Sequence, residues 1–455
     1  MPDERIYFGT DGIRGRVGEV PITPDFVLQL GWAAGRVLAD RGERTVVIGK
    51  DTRLSGYMFE SALEAGFAAA GVHSLLLGPM PTPAVAYLTR TLRARAGVVI
   101  SASHNPHHDN GIKFFGPDGY KLDDATEQSI ETMLRSGELA MARCETLGRA
   151  TRVNDAVGRY IEFCKSSVDR STVLRGLHVV VDCAHGATYQ AAPAVLRELG
   201  ASVTTIGDRP DGLNINVDHG SQHPQRLCER VVAEGADVGV GFDGDGDRVV
   251  MADRDGRLID GDGLLYTIAV ARLARGQVQG PVVGTQMTNL GLQIALEEVG
   301  LSLERVRVGD RYVLERLLQA EGTLGGESSG HIICLDRTTT GDGIISALQV
   351  LEAMAMTGRS LGELLDGMCY FPQQLINVPI VRGVDVLGLP AVQSAVAAAE
   401  AELGEHGRVL LRPSGTEPIL RVMVEGSEAG QVQRLAGELA DTVAEAAQRA
   451  AMDHV

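Results

Sequence analysis

Positive charge is in deficit in this sequence: 42 Lys and Arg stand against 59 Asp and Glu, a formal net charge of −17 over 455 residues. Nucleic acid and anionic membrane surfaces would be repelled before any contact formed, so neither is expected as a partner. The six cysteines (Cys144, Cys164, Cys183, Cys228, Cys334, Cys369) stand singly, without a CxxC or CxxH pair to suggest zinc or redox work. Reduced, mostly buried thiols are expected. No apolar run approaches the ~18 residues of a membrane span, and MPDERIYFGTDG carries charges where a signal peptide needs an apolar core. A cytoplasmic protein follows as the expectation. Aromatics are scarce too, at 4%, yet 44% hydrophobic and 22% charged residues describe an ordinary globular chain rather than a disordered or fibrous one.

Glycine is plentiful, with 56 residues, which suits tight loops where backbone amides approach a ligand. One unit recurs: an apolar strand, a loop of small polar residues, an apolar-periodic helix, then glycine and another strand. It begins at Thr45, at Leu177 and at Gly280. In the first helix Phe59, Leu63 and Phe67 fall four residues apart, a single buried stripe. Three such units predict three related α/β domains with largely parallel mixed sheets. The last portion runs INVPIV, GRVLLRPSGTEP, ILRVMVEG and a long helix from about Ala429 to Ala450, which predicts a smaller C-terminal α+β domain. Boundaries near Arg152, Asp255 and Cys369 give domains 1–152, 153–255, 256–369 and 370–455.

Four loops carry chemistry. GFDGDGDR, Gly241 to Arg248, alternates Asp243, Asp245 and Asp247 with glycine, and a roughly extended backbone would throw all three carboxylates to one side. They repel unless a cation lies among them, and oxygen-only ligands suit a hard ion, Mg²⁺ first. An EF-hand would need a closing glutamate, but Arg248 and Arg254 stand there. The GxGxxG match at Gly239, Gly241 and Gly244 runs into an acidic cluster and the strand VVMAD, not into a helix N-terminus. A plain acidic turn is the remaining alternative.

VVISASHNP ends a buried strand in Ser101, Ser103 and His104. A hydrolase reading makes a serine the nucleophile and His104 its base, but neighbouring side chains in an extended segment point opposite ways, so His104 is badly placed for Ser103. A simple Ser/Asn/Pro turn is the alternative. GGESSGH, Gly325 to His331, spells GxSxG at Gly326, Ser328 and Gly330, yet HIICLD after it reads as a strand and denies the strand-to-helix elbow. Glu327, the two hydroxyls and His331 suit sugar hydroxyls; a polar hairpin is the alternative. In RPSGTEPILR, Arg412 and Arg421 flank Ser414, Gly415 and Thr416, a set that can wrap a tetrahedral anion. Arg14 in FGTDGIRG and Lys113 in DNGIKFF add positive charge.

FGTDGIRG, SASHNP, GFDGDGDR, GGESSGH and RPSGTEP, in that order over nearly the whole chain, resemble the α-D-phosphohexomutase superfamily, and TTTGDG (Thr338 to Gly343) resembles its amino-sugar branch. The resemblance implies four domains around a central cleft, and an isomerase that moves a phosphoryl group between O6 and O1 of a hexosamine phosphate through a 1,6-bisphosphate. It implies a phosphoserine at Ser103, one Mg²⁺ held by Asp243, Asp245, Asp247 and a phosphoserine oxygen, and a hexosamine or hexose 1,6-bisphosphate as activator. Glu327 and Ser329 would grip sugar hydroxyls; Arg412, Ser414, Gly415, Thr416 and Arg421 would hold the non-reacting phosphate. Lys113 and His331 are the implied acid/base candidates, Arg248 would face the transferring phosphoryl group, and a homodimer is expected. Ser328 stands where the amino-sugar enzymes commonly have Gln and the mannose/glucose enzymes Met, so hexose phosphates stay open as substrates. A metal-dependent sugar phosphatase or a sugar-phosphate binding protein are the readings from other classes.

Overall fold

A computed structural model describes residues 6–9, 11–39, 44–137, 139–380, 385–413 and 418–452. Residues 1–285 with 303–366 form one unit, and residues 286–302 with 367–455 form a second. The first unit contains three mixed sheets of six, five and four strands, and the second a three-stranded antiparallel sheet.

Each of the three sheets has a parallel centre. Thr45–Lys50 runs parallel to both His73–Pro79 and Ala96–Ile100; His178–Asp182 runs parallel to both Ser202–Ile206 and Val238–Phe242; Val282–Thr285 runs parallel to Leu303–Val306 and Leu324–Gly326. Such central strands are covered on both faces, which is why they read as unbroken apolar runs: Val46, Val47 and Ile48 are wholly buried, as are Val179, Val180 and Val181. The expected stripe on the helix Leu54–Ala69 is present, with Phe59, Leu63 and Phe67 all fully buried.

Each sheet then ends in an antiparallel hairpin. Ala96–Ile100 turns back on Asp109–Phe115, Val238–Phe242 on Val249–Asp253, and Leu324–Gly326 on Ile332–Cys334. In the second unit Gly407–Pro413 turns back on Ile419–Gly426, whose apolar face lies under the helix Ala429–Met452 through Val432, Leu435, Leu439 and Val443. The first three loops singled out in the sequence are therefore the tips of hairpins, while residues 414–417 of the fourth lie outside the described residues.

The third recurrent unit is present as the strand Val282–Thr285, the helix Leu290–Glu298 and the parallel strand Leu303–Val306. Its helix groups with the second unit, where Arg408 donates to the carbonyls of Gln286 and Thr288 at 2.7 Å each and Leu290 N donates to Glu425 Oε1 at 2.9 Å. All six cysteines are free; Cys164, Cys183 and Cys334 are buried, but Cys144 and Cys369 are exposed, against expectation. Among the described residues no helix is long and apolar enough to cross a membrane.

TTTGDG ties the first unit together. Thr339 Oγ1 donates to Gly119 O at 2.8 Å, Gly343 N donates to Gly246 O at 3.0 Å, and Asp342 caps the helix Gly343–Thr357 through Ile345 N. Asp342 Oδ2 accepts from the buried Tyr160 hydroxyl at 2.8 Å. Burial pushes the Asp342 carboxyl up to about 6, partly offset by the bonds from Ile345 and Tyr160. Because its folded value lies above its unfolded one, Asp342 favours the fold at acid pH and this contribution is lost as pH rises through about 6. Tyr160→Phe deletes a bond that matters most to the ionised form. It should destabilise by about 1–3 kcal/mol at pH 8 and by less at pH 5, read by urea unfolding at the two pH values; an equal loss at both would refute the coupling.

Candidate active site

Ser103 sits 1% exposed at the tip of the first hairpin with a left-handed backbone, φ 53°, and donates from Oγ to Asp243 Oδ2 at 2.6 Å. The loop is thus not extended, and the sequence argument about His104 fails on that point: its Nδ1 comes within 3.4 Å of Ser103 Oγ. The same nitrogen lies 3.1 Å from Arg248 Nη1. Burial, then the charges of Arg248 and Arg14, push His104 down to about 4, so it is a neutral acceptor for the guanidinium. Ser101 is more than turn chemistry, because its Oγ accepts from Ser103 N at 2.9 Å and donates to Asp51.

The aspartate loop is a turn, with Gly246 at φ 72°, rather than an extended segment. It nevertheless gathers oxygens of Asp243, Asp245 and Asp247 to within 4.8 Å of one another, all buried. Burial, then the charges of Asp247 and Asp245, push the Asp243 carboxyl well above its ordinary value. Asp245 is also raised by burial and by Asp247, but Lys113 and Thr82 outweigh them and hold it low; Thr82 Oγ1 donates to its Oδ2 at 2.6 Å. Asp247 is held low against burial by Lys113 and His331. Asp245 Oδ1 and Asp247 Oδ1 are buried without a hydrogen-bond partner. Crowded, orphaned carboxylate oxygens fit a small divalent cation, and these three aspartates are the residues that could hold one.

Lys113 lies on the strand after the serine loop, 2% exposed, with Nζ 2.9 Å from Asp245 Oδ2, 3.2 Å from Asp11 Oδ2 and 3.7 Å from Asp247 Oδ2. Burial alone would lower its pKa, but Asp11, Asp245 and Asp247 carry it well above the ordinary value. His331 Nδ1 is 3.7 Å from Asp247 Oδ2 and its Nε2 3.6 Å from Asp310 Oδ2. Burial is again outweighed, by Asp247 first and then Asp310 and Glu327, and the imidazole is pushed up to about 9. Gly341 lies flat against that ring: a Cβ there would come within 2.3 Å of Nε2.

A cavity of about 480 Å³ opens beside these groups, lined by Arg14, Asp247, Arg248, Glu327 and His331 among others. Glu327 Oε1 accepts from Gly309 N at 3.0 Å, and Ser329 Oγ is buried without a partner. In the second unit Arg412 and Arg421 are register partners across the hairpin, each with a buried, unpartnered Nε; burial and then the Arg421 charge lower Arg412. Among the described residues no carboxylate pairs with either, and two adjacent cations of this kind suit an anion. Ser414, Gly415 and Thr416 lie outside the described residues.

Several residues of the site were missed in the sequence. Asp11 and Asp310 also line the cavity, and Lys121 Nζ joins them at 2.6 Å to each. Their side chains converge from segments nearly 300 residues apart, and only Asp11 lies in a quoted motif. Thr82, Asp51, Arg53 and Asn216 were missed likewise. The one signal available was position: Asp51 and Arg53 directly follow the strand Thr45–Lys50, and Thr82 and Asp310 open the helices that follow His73–Pro79 and Leu303–Val306.

Residues 5–141, 158–256, 260–370 and 375–442 match, in order, the models of domains I, II and III and of the C-terminal domain of phosphoglucomutase/phosphomannomutase. The phosphoglucosamine mutase of Halorhodospira halophila is 79% identical over the whole of both chains. That of Alkalilimnicola ehrlichii is 64% identical over 97% of each. Among solved structures, a putative phosphomannomutase from Thermus thermophilus superposes with a TM-score of 0.78 at 27% identity, over 97% of this chain and 99% of that one. N-acetylphosphoglucosamine mutase of Aspergillus fumigatus, solved with GlcNAc-6P and magnesium, has a TM-score of 0.70 at 18% identity, over 98% and 97% of the two chains, and speaks for the fold alone.

The carboxylate cluster gives a test that needs no turnover. Mg²⁺ at ~100 times its Kd should stabilise the protein by about 2.7 kcal/mol, seen as a higher melting midpoint. Asp243→Asn relieves the repulsion, so without metal it should melt at or above wild type while losing the response to Mg²⁺. A wild-type midpoint indifferent to Mg²⁺ would count against a cation site.

Proposed function

Because the chain belongs to the phosphoglucomutase/phosphomannomutase family, we propose that it interconverts glucosamine 6-phosphate and glucosamine 1-phosphate through a phosphoserine at Ser103. The observation that carries this is the buried Ser103 Oγ, 2.6 Å from Asp243, facing three carboxylates. The 79% identity to a phosphoglucosamine mutase supports the amino sugar over glucose or mannose phosphates.

Phosphoryl transfer asks a protein for positioning and charge neutralisation more than for covalent chemistry. The P–Oγ bond of phosphoserine 103 breaks as a bond from phosphorus to O1 of glucosamine 6-phosphate forms. The O1 hydroxyl gives up its proton and the leaving Oγ takes one, so that glucosamine 1,6-bisphosphate and a free serine hydroxyl result. The bisphosphate turns round, its P–O6 bond breaks as a bond from phosphorus to Oγ forms, the Oγ hydroxyl gives up its proton while O6 takes one, and glucosamine 1-phosphate leaves. Asp243, Asp245 and Asp247 would hold Mg²⁺, which when bound would neutralise charge at the serine-borne phosphate. Arg248 faces the phosphoryl oxygens, anchored through His104. Lys113 and His331 hold and move the hydroxyl protons, with Arg14 adding positive charge. Glu327 and Ser329 grip the sugar hydroxyls; the unpartnered Ser329 Oγ supports that role. Arg412, Ser414, Gly415, Thr416 and Arg421 take whichever phosphate is not reacting, reading charge and tetrahedral shape. Glucosamine or glucose 1,6-bisphosphate reloads a serine that has lost its phosphate. Free cysteines throughout accord with a reducing cytoplasm.

Ser103→Ala should abolish turnover and carry no phosphate by mass spectrometry, while Ser101→Ala keeps a reduced but measurable rate. Full activity in phosphate-free Ser103→Ala would overturn the relay. With Mg²⁺ and a trace of 1,6-bisphosphate, glucosamine phosphate should outpace glucose and mannose phosphates without stoichiometric release of inorganic phosphate. Such release would instead mark a phosphatase.

A further inference from the structure

The left-handed backbone of Ser103, at φ 53°, is disfavoured for a non-glycine residue and persists only if its surroundings over-determine it. Two carbonyls of its loop are doubly held. Arg53 Nη2 donates to Ser103 O at 3.1 Å and to Asn105 O at 2.5 Å; Asn216 Nδ2 donates to the same two oxygens at 3.0 and 3.1 Å. Arg53 is wholly buried and is fixed through its other nitrogen by Asp51, which also receives the Ser101 hydroxyl that accepts from Ser103 N. Asn216 is itself left-handed at φ 60°, with its backbone N bonded to Ala184 O at 2.8 Å. The aspartate loop packs on the same spot: a Cβ on Gly244 would lie 2.7 Å from both Ser103 O and Asn216 Nδ2.

We propose that Arg53 and Asn216 are a pair of positioning residues, a two-sided clamp on the Ser103 and Asn105 carbonyls that aims the serine at the aspartate loop. This rests on the reading of Ser103 as the phosphoryl carrier. Neither residue lines the cavity beside the carboxylates. Arg53 enters from the loop after the first central strand, and Asn216 from a loop 113 residues further along the chain than Ser103, so the serine is fixed from both flanks. The same oxygen has to leave phosphorus in one half-reaction and attack it in the other. A loop that yielded between them would lose the alignment on which both steps depend.

The test uses Asn216→Gly, which keeps the left-handed backbone free and deletes only the amide, and Arg53→Lys, which keeps a cation for Asp51 but lacks the forked donor. Two rates are measured: phosphorylation of Ser103 by glucose 1,6-bisphosphate, followed by mass spectrometry, and steady-state turnover. Each variant should lose roughly ten- to a hundredfold in phosphorylation rate and in kcat, with KM within about threefold of wild type. If the two act as one clamp, the double variant should lose little more than the worse single one. Rates within threefold of wild type, or a loss appearing wholly in KM, would overturn the clamp. A wild type that accepts no phosphate would strike at the functional reading instead. Hydrogen exchange at the amides of residues 103–109 then still decides the clamp: faster exchange in Asn216→Gly supports it, and unchanged exchange rejects it.

Discussion

Three carboxylates within 4.8 Å of one another, all out of water, are the constraint on which the rest of this structure depends. Left alone they would repel, and the chain answers with cations drawn from elsewhere in its length. Lys113 reaches in from the strand after the serine loop, Arg248 lies beside the aspartates, and His331 comes from the third hairpin. None of these suffices to satisfy every oxygen. The leftover lone pairs leave the cluster ready for a divalent cation, and the leftover repulsion keeps it from relaxing into an ordinary salt-bridge network.

Hairpin geometry makes the convergence possible. A parallel strand must hand the chain to a helix, which spaces successive strand ends widely; a closing antiparallel pair instead presents a short tip held on both sides by sheet bonds. The serine, aspartate and glutamate loops of the first unit are such tips, so each carries its polar side chains on a rigid support. In the second unit the two arginines are register partners on paired strands.

What the sequence made legible was local. The runs around Val46 and Val179 announced buried strands, the period of Phe59, Leu63 and Phe67 announced a helix, and the alternation of Asp243, Asp245 and Asp247 announced a carboxylate cluster. What it concealed was whatever depends on distant meetings. Asp310 and Lys121 are ordinary charged residues until they meet across 189 positions. Arg53 resembles any surface arginine in a KDTR stretch, yet it is wholly buried. The backbone of the serine loop was also out of reach, because a strand that ends in small polar residues may continue extended or coil, and only the surrounding donors decide. His104 therefore has to be read from the coiled loop, where the same nitrogen faces both Ser103 Oγ and the Arg248 guanidinium.

The left-handed turn at Ser103 also decides which amino acid can do its work. Threonine carries the same hydroxyl and is as easily phosphorylated in principle, but a β-branched side chain at φ 53° crowds its own backbone. The conformation thus favours serine over threonine at this position on steric grounds. Aspartate enters the left-handed region far more readily, so a carboxylate would be accommodated there with little distortion of the loop.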